Sequence, residues 1–224
     1  MKRRAGKNPV VSQVYQTTPK IVLLGDACNG KSTFFNRVKE LKNDDYSFSD
    51  HKRYKATSNF DYQRFGIKTS EGSLSIDLWD TAGQEDNIGG KLRDAYIKGA
   101  DGVLIFYDVS NRVTKENVEY WINVIKSVQP GIPIAVVGNK LDLYEDIQQH
   151  ETIKFRNSQL ESMYGCKKIN NFLISIKENR HLNFKSAGFF SFGSSEASKE
   201  RGCFIGLEYV LNQIHRKDSI KIEY

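Results

Sequence analysis

Lys20-Ile-Val-Leu-Leu-Gly25-Asp-Ala-Cys-Asn-Gly30-Lys31-Ser32 organises the reading of this 224-residue chain. Ile21 to Leu24 is a short apolar run of buried-strand length, closed by Gly25. Phe34, Phe35, Val38 and Leu41 then recur at helical spacing, so the stretch reads as strand, glycine turn and helix. Gly25 to Ser32 fits the pattern G-x-x-x-x-G-K-[ST]. Glycines let such a backbone curl until successive N–H groups point inward, and the N-terminus of the next helix adds its positive end. A loop of this kind suits phosphate. Lys31 would neutralise the β- and γ-phosphates of a nucleotide, and the Ser32 hydroxyl can ligate Mg²⁺. Asp26, Ala27, Cys28, Asn29, Gly30 and Thr33 complete the candidate contact set. The plainer alternative is a glycine turn carrying an exposed lysine.

Further signals fall on later strand ends. Leu74, Ile76 and Leu78 alternate with Ser75, Asp77 and Trp79, a half-buried strand that leads into Asp80-Thr-Ala-Gly83-Gln84-Glu85. An acid ending a buried strand beside a phosphate loop is placed to anchor Mg²⁺, usually through water. Gly83 offers an N–H to a γ-phosphate oxygen, and the Gln84 amide can hold an attacking water by donating and accepting. The apolar run Ile132–Gly138 ends in Asn139-Lys140-Leu141-Asp142. The Asp142 carboxylate matches the paired N1–H and 2-amino donors of guanine. Adenine lacks that pair and would leave the carboxylate unpaired, a cost of order 1–3 kcal/mol or more. Lys140 would lie along the base, and Asn139 would tie this loop to the phosphate loop. Ser175-Ile176-Lys177 follows the last apolar strand and is a further candidate for base contact. Alone, N-K-x-D is a weak match and more often a turn. As the third signal in order, it selects guanine over adenine.

The rest of the chain supports an alternating fold. Residues 1–19 read as an irregular lead-in and 43–59 as an exposed loop. Phe60–Thr69 and Leu74–Trp79 read as an antiparallel hairpin around Glu71-Gly72. Helix is predicted over Lys91–Lys98 and Glu116–Val128, around Gln159–Tyr164, and through Phe204, Leu207, Leu211 and Ile214. Val103–Tyr107, Ile132–Gly138 and Phe172–Ile176 supply the intervening strands. The alternation predicts an α/β fold, a mostly parallel sheet covered on both faces with one antiparallel edge. Residues 178–202, rich in Ser and Gly, read as a long loop whose Phe189, Phe190 and Phe192 either fold back on the body or meet a partner. The predicted organisation is an arm over 1–19, one domain over 20–216 with insertions near 43–52 and 178–202, and a short tail over 217–224.

Composition sets the outer bounds. With 39% hydrophobic and 27% charged residues the chain can build a core and is unlike a disordered one. No apolar run approaches the roughly 20 residues that cross a bilayer, and Met1–Lys20 lacks the apolar stretch of a signal peptide. Membrane-spanning and secreted classes are set aside on that reading. The net charge of +6 comes largely from Lys2, Arg3, Arg4 and Lys7 at the start. That arm reads as a solvated tail or a nuclear-import signal, and the nearly neutral body speaks against direct nucleic-acid binding. Three widely spaced cysteines suggest no disulfide framework and point to a reducing compartment, cytoplasm or nucleus. The four histidines fall at no metal-ligand spacing and read as surface residues.

The ordered set of phosphate loop, Asp80–Glu85, Asn139–Asp142 and Ser175–Lys177 resembles a small GTPase of the Ras superfamily, over about residues 20–177 and the last helix. Within it the chain is most similar to the Ran branch of nuclear transport, and next to the Rab branch. Arg53-Tyr-Lys-Ala-Thr57, Gly89-Gly-Lys-Leu-Arg-Asp-Ala-Tyr96 and Asp108-Val-Ser-Asn-Arg-Val-Thr-Lys-Glu-Asn-Val118 carry that similarity. The resemblance implies a three-layer α/β/α fold with a six-stranded sheet, GTP/GDP and Mg²⁺ as ligands, and a switch that hydrolyses GTP to GDP and phosphate. By the same resemblance Thr57 would join Mg²⁺ and sense the γ-phosphate, Tyr54 would lie near the catalytic Gln84, and the switches would span about 43–61 and 83–96. Its implied partners are an exchange factor, a GTPase-activating protein and an effector or transport receptor, acting on a monomer.

Departures from the family pattern matter too. Ala27 stands where Ran and Ras have glycine, and its methyl would crowd the catalytic glutamine and slow hydrolysis. Cys28 is either oxidisable beside a helix N-terminus or buried and inert. Asn59 replaces the usual glycine after the switch threonine. The loop between Lys31 and Thr57 is long enough that either Tyr46 or Phe48 could stack near guanine. Ile220-Lys-Ile-Glu-Tyr224 carries neither an acidic tail nor a prenylatable cysteine, so no lipid anchor is expected. Ala27, Asn59 and the altered loop lengths leave a second reading, a guanine-nucleotide-binding scaffold with little turnover, beside the further alternative of a Rab-like trafficking GTPase.

Overall fold

The most apolar runs of the sequence lie at the centre of the sheet. In the computed structural model, which describes residues 17–41, 60–82, 91–143, 155–181, 183–184, 190–191, 202–217 and 219–223, these runs are β1 (Lys20–Leu24), β4 (Gly102–Asp108) and β5 (Ile134–Asn139). They are buried along almost their whole length, which suits strands covered on both faces. The chain-order labels of the other strands are β2 (Phe60–Thr69), β3 (Gly72–Thr81), β6 (Ile169–Ser175) and β7 (Arg180–His181). The sheet order is β2-β3-β1-β4-β5-β6-β7. The five strands from β3 to β6 run parallel, and β2 and β7 are antiparallel to their neighbours.

Helices cover both faces. On one side α1 (Lys31–Glu40) and the last helix, α6 (Ile205–His215), bury Phe34, Phe35, Val38, Leu207, Val210 and Leu211. On the other lie α2 (Lys91–Ile97), α3 (Arg112–Glu116), α4 (Val118–Val128) and α5 (Asn157–Tyr164). Val118, Trp121, Ile122 and Ile125 make one stripe of α4 and join Leu160 and Tyr164 of α5 in that second layer. This is the three-layer α/β/α arrangement that the resemblance implies. Among the described residues no helix is long and apolar enough to cross a membrane.

Four details differ from the sequence reading. The helix expected over Glu116–Val128 begins earlier and is broken at Asn117. Asn111 starts it by accepting a hydrogen bond from the Val113 N–H, a cap that periodicity does not register. Within the region 178–202 the described residues include short strands. β7 pairs with β6, making a seventh strand, and β8 (Asn183–Phe184) pairs with β9 (Phe190–Ser191). Two-residue strands carry no alternation to read. His181 is buried, where a surface residue was expected. Residues 219–223 lie against the β2–β3 turn, with Ile222 bridged to Thr69 and with Ile220 and Ile222 in the α1–α6 core layer.

Candidate functional site

Because β1, β3, β4, β5 and β6 are parallel, their carboxyl ends share one edge of the sheet, and the segments that follow them meet there. β1 runs into the glycine loop. Gly25 and Gly30 have φ of +125° and +98°, and a Cβ on either would stand 2.2 Å from the Phe106 carbonyl or from Asn139 Nδ2 respectively. Only glycine combines those backbone angles with such close approach. Asn29 is buried, and its Nδ2 donates to the Phe106 carbonyl at 2.9 Å. Lys31, 5% exposed, folds back so that Nζ donates to the carbonyls of Gly25 at 2.7 Å and Asp26 at 2.9 Å. Ala27 and Ser32 are half-buried and Thr33 is exposed. Cys28 is exposed, with φ +64°.

Asp80 is buried near the end of β3, in register with Leu23. The neighbouring Thr81 hydroxyl donates to the Leu23 carbonyl at 2.7 Å, which clamps this strand end to the root of the phosphate loop. Thr57, Tyr54, Gly83 and Gln84 lie outside the described residues, as do Tyr46, Phe48 and Asn59.

Asn139, 4% exposed, links three segments. Its Nδ2 donates to the Asn29 carbonyl at 3.1 Å, and its Oδ1 accepts from the Ile176 N–H at 3.2 Å. Asp142 is half-buried and accepts from the Ser175 hydroxyl at 2.7 Å, while the Glu178 N–H donates to that same hydroxyl oxygen at 3.1 Å. Each carboxylate oxygen carries two lone pairs, so this bond leaves Asp142 further accepting capacity. Ile176 is buried and Lys177 exposed.

Lys140, held at φ +67°, donates from Nζ to Asp108 Oδ2 at 2.7 Å. Asp108 Oδ1 accepts from the Ser110 N–H at 2.9 Å and the Ser110 hydroxyl at 2.6 Å. Burial alone would raise the Asp108 pKa, but the Lys140 and Ser110 donors outweigh it and hold the carboxyl below the usual range. Sequence reasoning singled out Asp108 only within a resembling stretch. Its own signal, an acid ending a buried strand, is the one that picked out Asp80. Asn117 and Trp121, which reach the phosphate loop through Asp26, carried no sequence signal for that contact, Asn117 standing only within the same resembling stretch and Trp121 within a predicted helix.

Among the described residues no group of three or more His, Cys, Asp or Glu side chains is arranged to hold a metal. The Ser32 hydroxyl and the Asp80 carboxylate are hard oxygen donors, which fits Mg²⁺ completed by phosphate oxygens and water. Gly25 and Gly30, at positive φ and packed closely against Phe106 and Asn139, give the loop the tight backbone curl that suits phosphate.

A family model described as the Ras family matches residues 20–185. The chain belongs to the Ras family. As a Ras-family protein it is a GTP-binding switch and, in general terms, a GTP hydrolase. Members of the family take GTP or GDP, generally with Mg²⁺, and work with regulators and effectors. The matched span runs from β1 past β8, so it contains every described strand end discussed above.

Proposed function

We propose that this Ras-family protein hydrolyses GTP slowly unless a GTPase-activating protein assists, and that its role is of the Ran type, in traffic between nucleus and cytoplasm. The observation that carries the nucleotide part is the Asn139 side chain, bonded at once to the phosphate loop and to the segment holding Ser175. Those two bonds support reading Lys31 as the phosphate end and Asp142 as the base end of one site. On this reading Lys31 and the loop N–H groups stabilise charge on the phosphates, and Asp142 reads the N1–H and 2-amino group of guanine. Mg²⁺, held by Ser32, Thr57 and Asp80, would neutralise β- and γ-phosphate charge. Gln84 would orient the attacking water, with Tyr54 beside it. Gly83 would donate to the γ-phosphate, while Asp26 to Thr33 line the phosphates and Ser175 to Lys177 the base. Slow unaided turnover follows from the Ala27 methyl and from the lack of any arginine identifiable as a finger.

The Ran-type part rests on the sequence stretch Asp108–Val118, whose Asp108 and Asn117 both touch the site. Mass analysis of the co-purified nucleotide tests the first part: GDP or GTP is expected, and recovery of ATP alone would reject it. Gln84→Leu should abolish hydrolysis while GTP still binds, so unchanged turnover in that variant would remove Gln84 from the mechanism. GTP-dependent capture of a nuclear transport receptor tests the second part. Equal capture in the GDP and GTP states, or none, would reject the Ran-type role.

A further inference from the structure

An acid inside a phosphate loop has the wrong charge for its surroundings. Asp26 follows Gly25 directly, and its own carbonyl takes the Lys31 ammonium at 2.9 Å. The carboxylate lies only three bonds from that carbonyl. Left loose, it would compete with a nucleotide for the Lys31 cation and would repel the phosphates. In this structure both carboxylate oxygens are turned to neutral donors on another segment. Oδ2 accepts from Asn117 Nδ2 at 2.8 Å and Oδ1 from Trp121 Nε1 at 2.9 Å.

The two donors are four residues apart, and the Trp121 backbone N–H donates to the Asn117 carbonyl at 3.2 Å, so they lie on one helical face. The break between α3 and α4 falls at Asn117, the residue whose side chain turns to Asp26. The Trp121 ring is buried in the core layer, which fixes where its N–H points. We propose that Asn117 and Trp121 are positioning residues for the phosphate loop: they hold the Asp26 carboxylate outward and so keep Lys31 available for the β-phosphate. This rests on the nucleotide reading given above and extends it to residues outside the motifs.

The test compares GDP with GMP, which lacks the phosphate that Lys31 would meet. Affinities are measured by competition on GDP-loaded protein for the wild type, Asn117→Ala, Trp121→Phe, Asp26→Ala and each donor variant combined with Asp26→Ala. Losing one hydrogen bond to a charged group should weaken GDP by roughly tenfold to a hundredfold. GMP affinity should change less than about twofold, since the clasp is placed at the phosphate end only. Removing the carboxylate should remove the need for the clasp. In the Asp26→Ala background, therefore, Asn117→Ala and Trp121→Phe should have little effect on GDP.

Equal losses of GDP and GMP, following any fall in melting temperature, would mean a merely structural contact and overturn the proposal. So would donor effects that persist undiminished after Asp26→Ala. A wild type that prefers ADP to GDP would overturn the guanine reading, while the same comparison made with ADP and AMP would still decide the clasp. Binding of no nucleotide would overturn both.

Discussion

Asn139 shows how much one buried amide can organise. It is nearly inaccessible, and both ends of its side chain hold backbone groups of other segments. Asn139→Ala would leave the Asn29 carbonyl and the Ile176 N–H without these bonds. We expect a loss of roughly 2–4 kcal/mol in urea denaturation, together with loss of nucleotide binding. Asp108 makes a different prediction, one that depends on pH. Its carboxyl is held below the usual range, so the stabilisation it supplies is present above the ordinary carboxylate range near pH 4 and disappears as pH falls through the lowered value. Asp108→Asn should therefore cost stability at neutral pH, about 1–3 kcal/mol, and the difference from wild type should fade in strong acid. Urea midpoints measured down the acid limb would check this. A gap that stays constant to low pH would show that the charge is not what stabilises.

Residues 219–223, together with Lys217, behave as an element, bridged to the sheet at Thr69–Ile222. Backbone bonds of 2.9 Å run from the Ser70 N–H to the Lys221 carbonyl and from the Glu223 N–H to the Lys68 carbonyl. The Ile222 N–H donates to the buried Glu208 carboxylate of α6 at 2.8 Å, and Lys217 and Ser219 both reach Glu71 in the β2–β3 turn. The segment thereby fastens α6 to the hairpin, and Ile220 and Ile222 are 1% and 3% exposed. Ile222→Ala should lower stability by about 2–4 kcal/mol, read from the urea midpoint. A change under 0.5 kcal/mol would show that the contact contributes little. The turn that opens α6 offers a probe of the same packing. Burial pushes the Cys203 thiol up to about 12, so it is protonated and sheltered at neutral pH, whereas Cys28 is exposed. Thiol alkylation of the native protein should therefore label Cys28 and spare Cys203 until the chain unfolds, as peptide mapping would show.

At the scale of the whole molecule, the parallel sheet places its strand ends on one edge, and a ligand gripping several of them should stabilise everything behind them. Stripping the nucleotide with a chelator and phosphatase should lower the melting temperature. Restoring GDP and Mg²⁺ at about a thousand times the dissociation constant should add about 4 kcal/mol. Equal melting of stripped and loaded protein would separate the fold's stability from its ligand.

The alternation of strand and helix, the antiparallel hairpin and the three motif-bearing strand ends were legible in the sequence because each rests on local physics. Apolar runs of strand length, helical spacing and glycines at left-handed positions are constraints that neighbouring residues impose on one another. The site contacts fared differently. The tie from Asn139 to the phosphate loop was expected from its motif and is made through the Asn29 carbonyl, but Asn139 bound to Ile176, Lys140 bound to Asp108, and Asp26 bound to Asn117 and Trp121 pair residues 32 to 95 positions apart. Nothing in the local pattern distinguishes such a side chain from a solvated one. Only the folded sheet brings the partners within 3 Å or so, and there burial makes an unpaired amide or carboxylate costly enough to select its donor. Sequence alone thus determined the architecture and the class of chemistry, while tertiary structure decided which side chains hold the reactive ones in place.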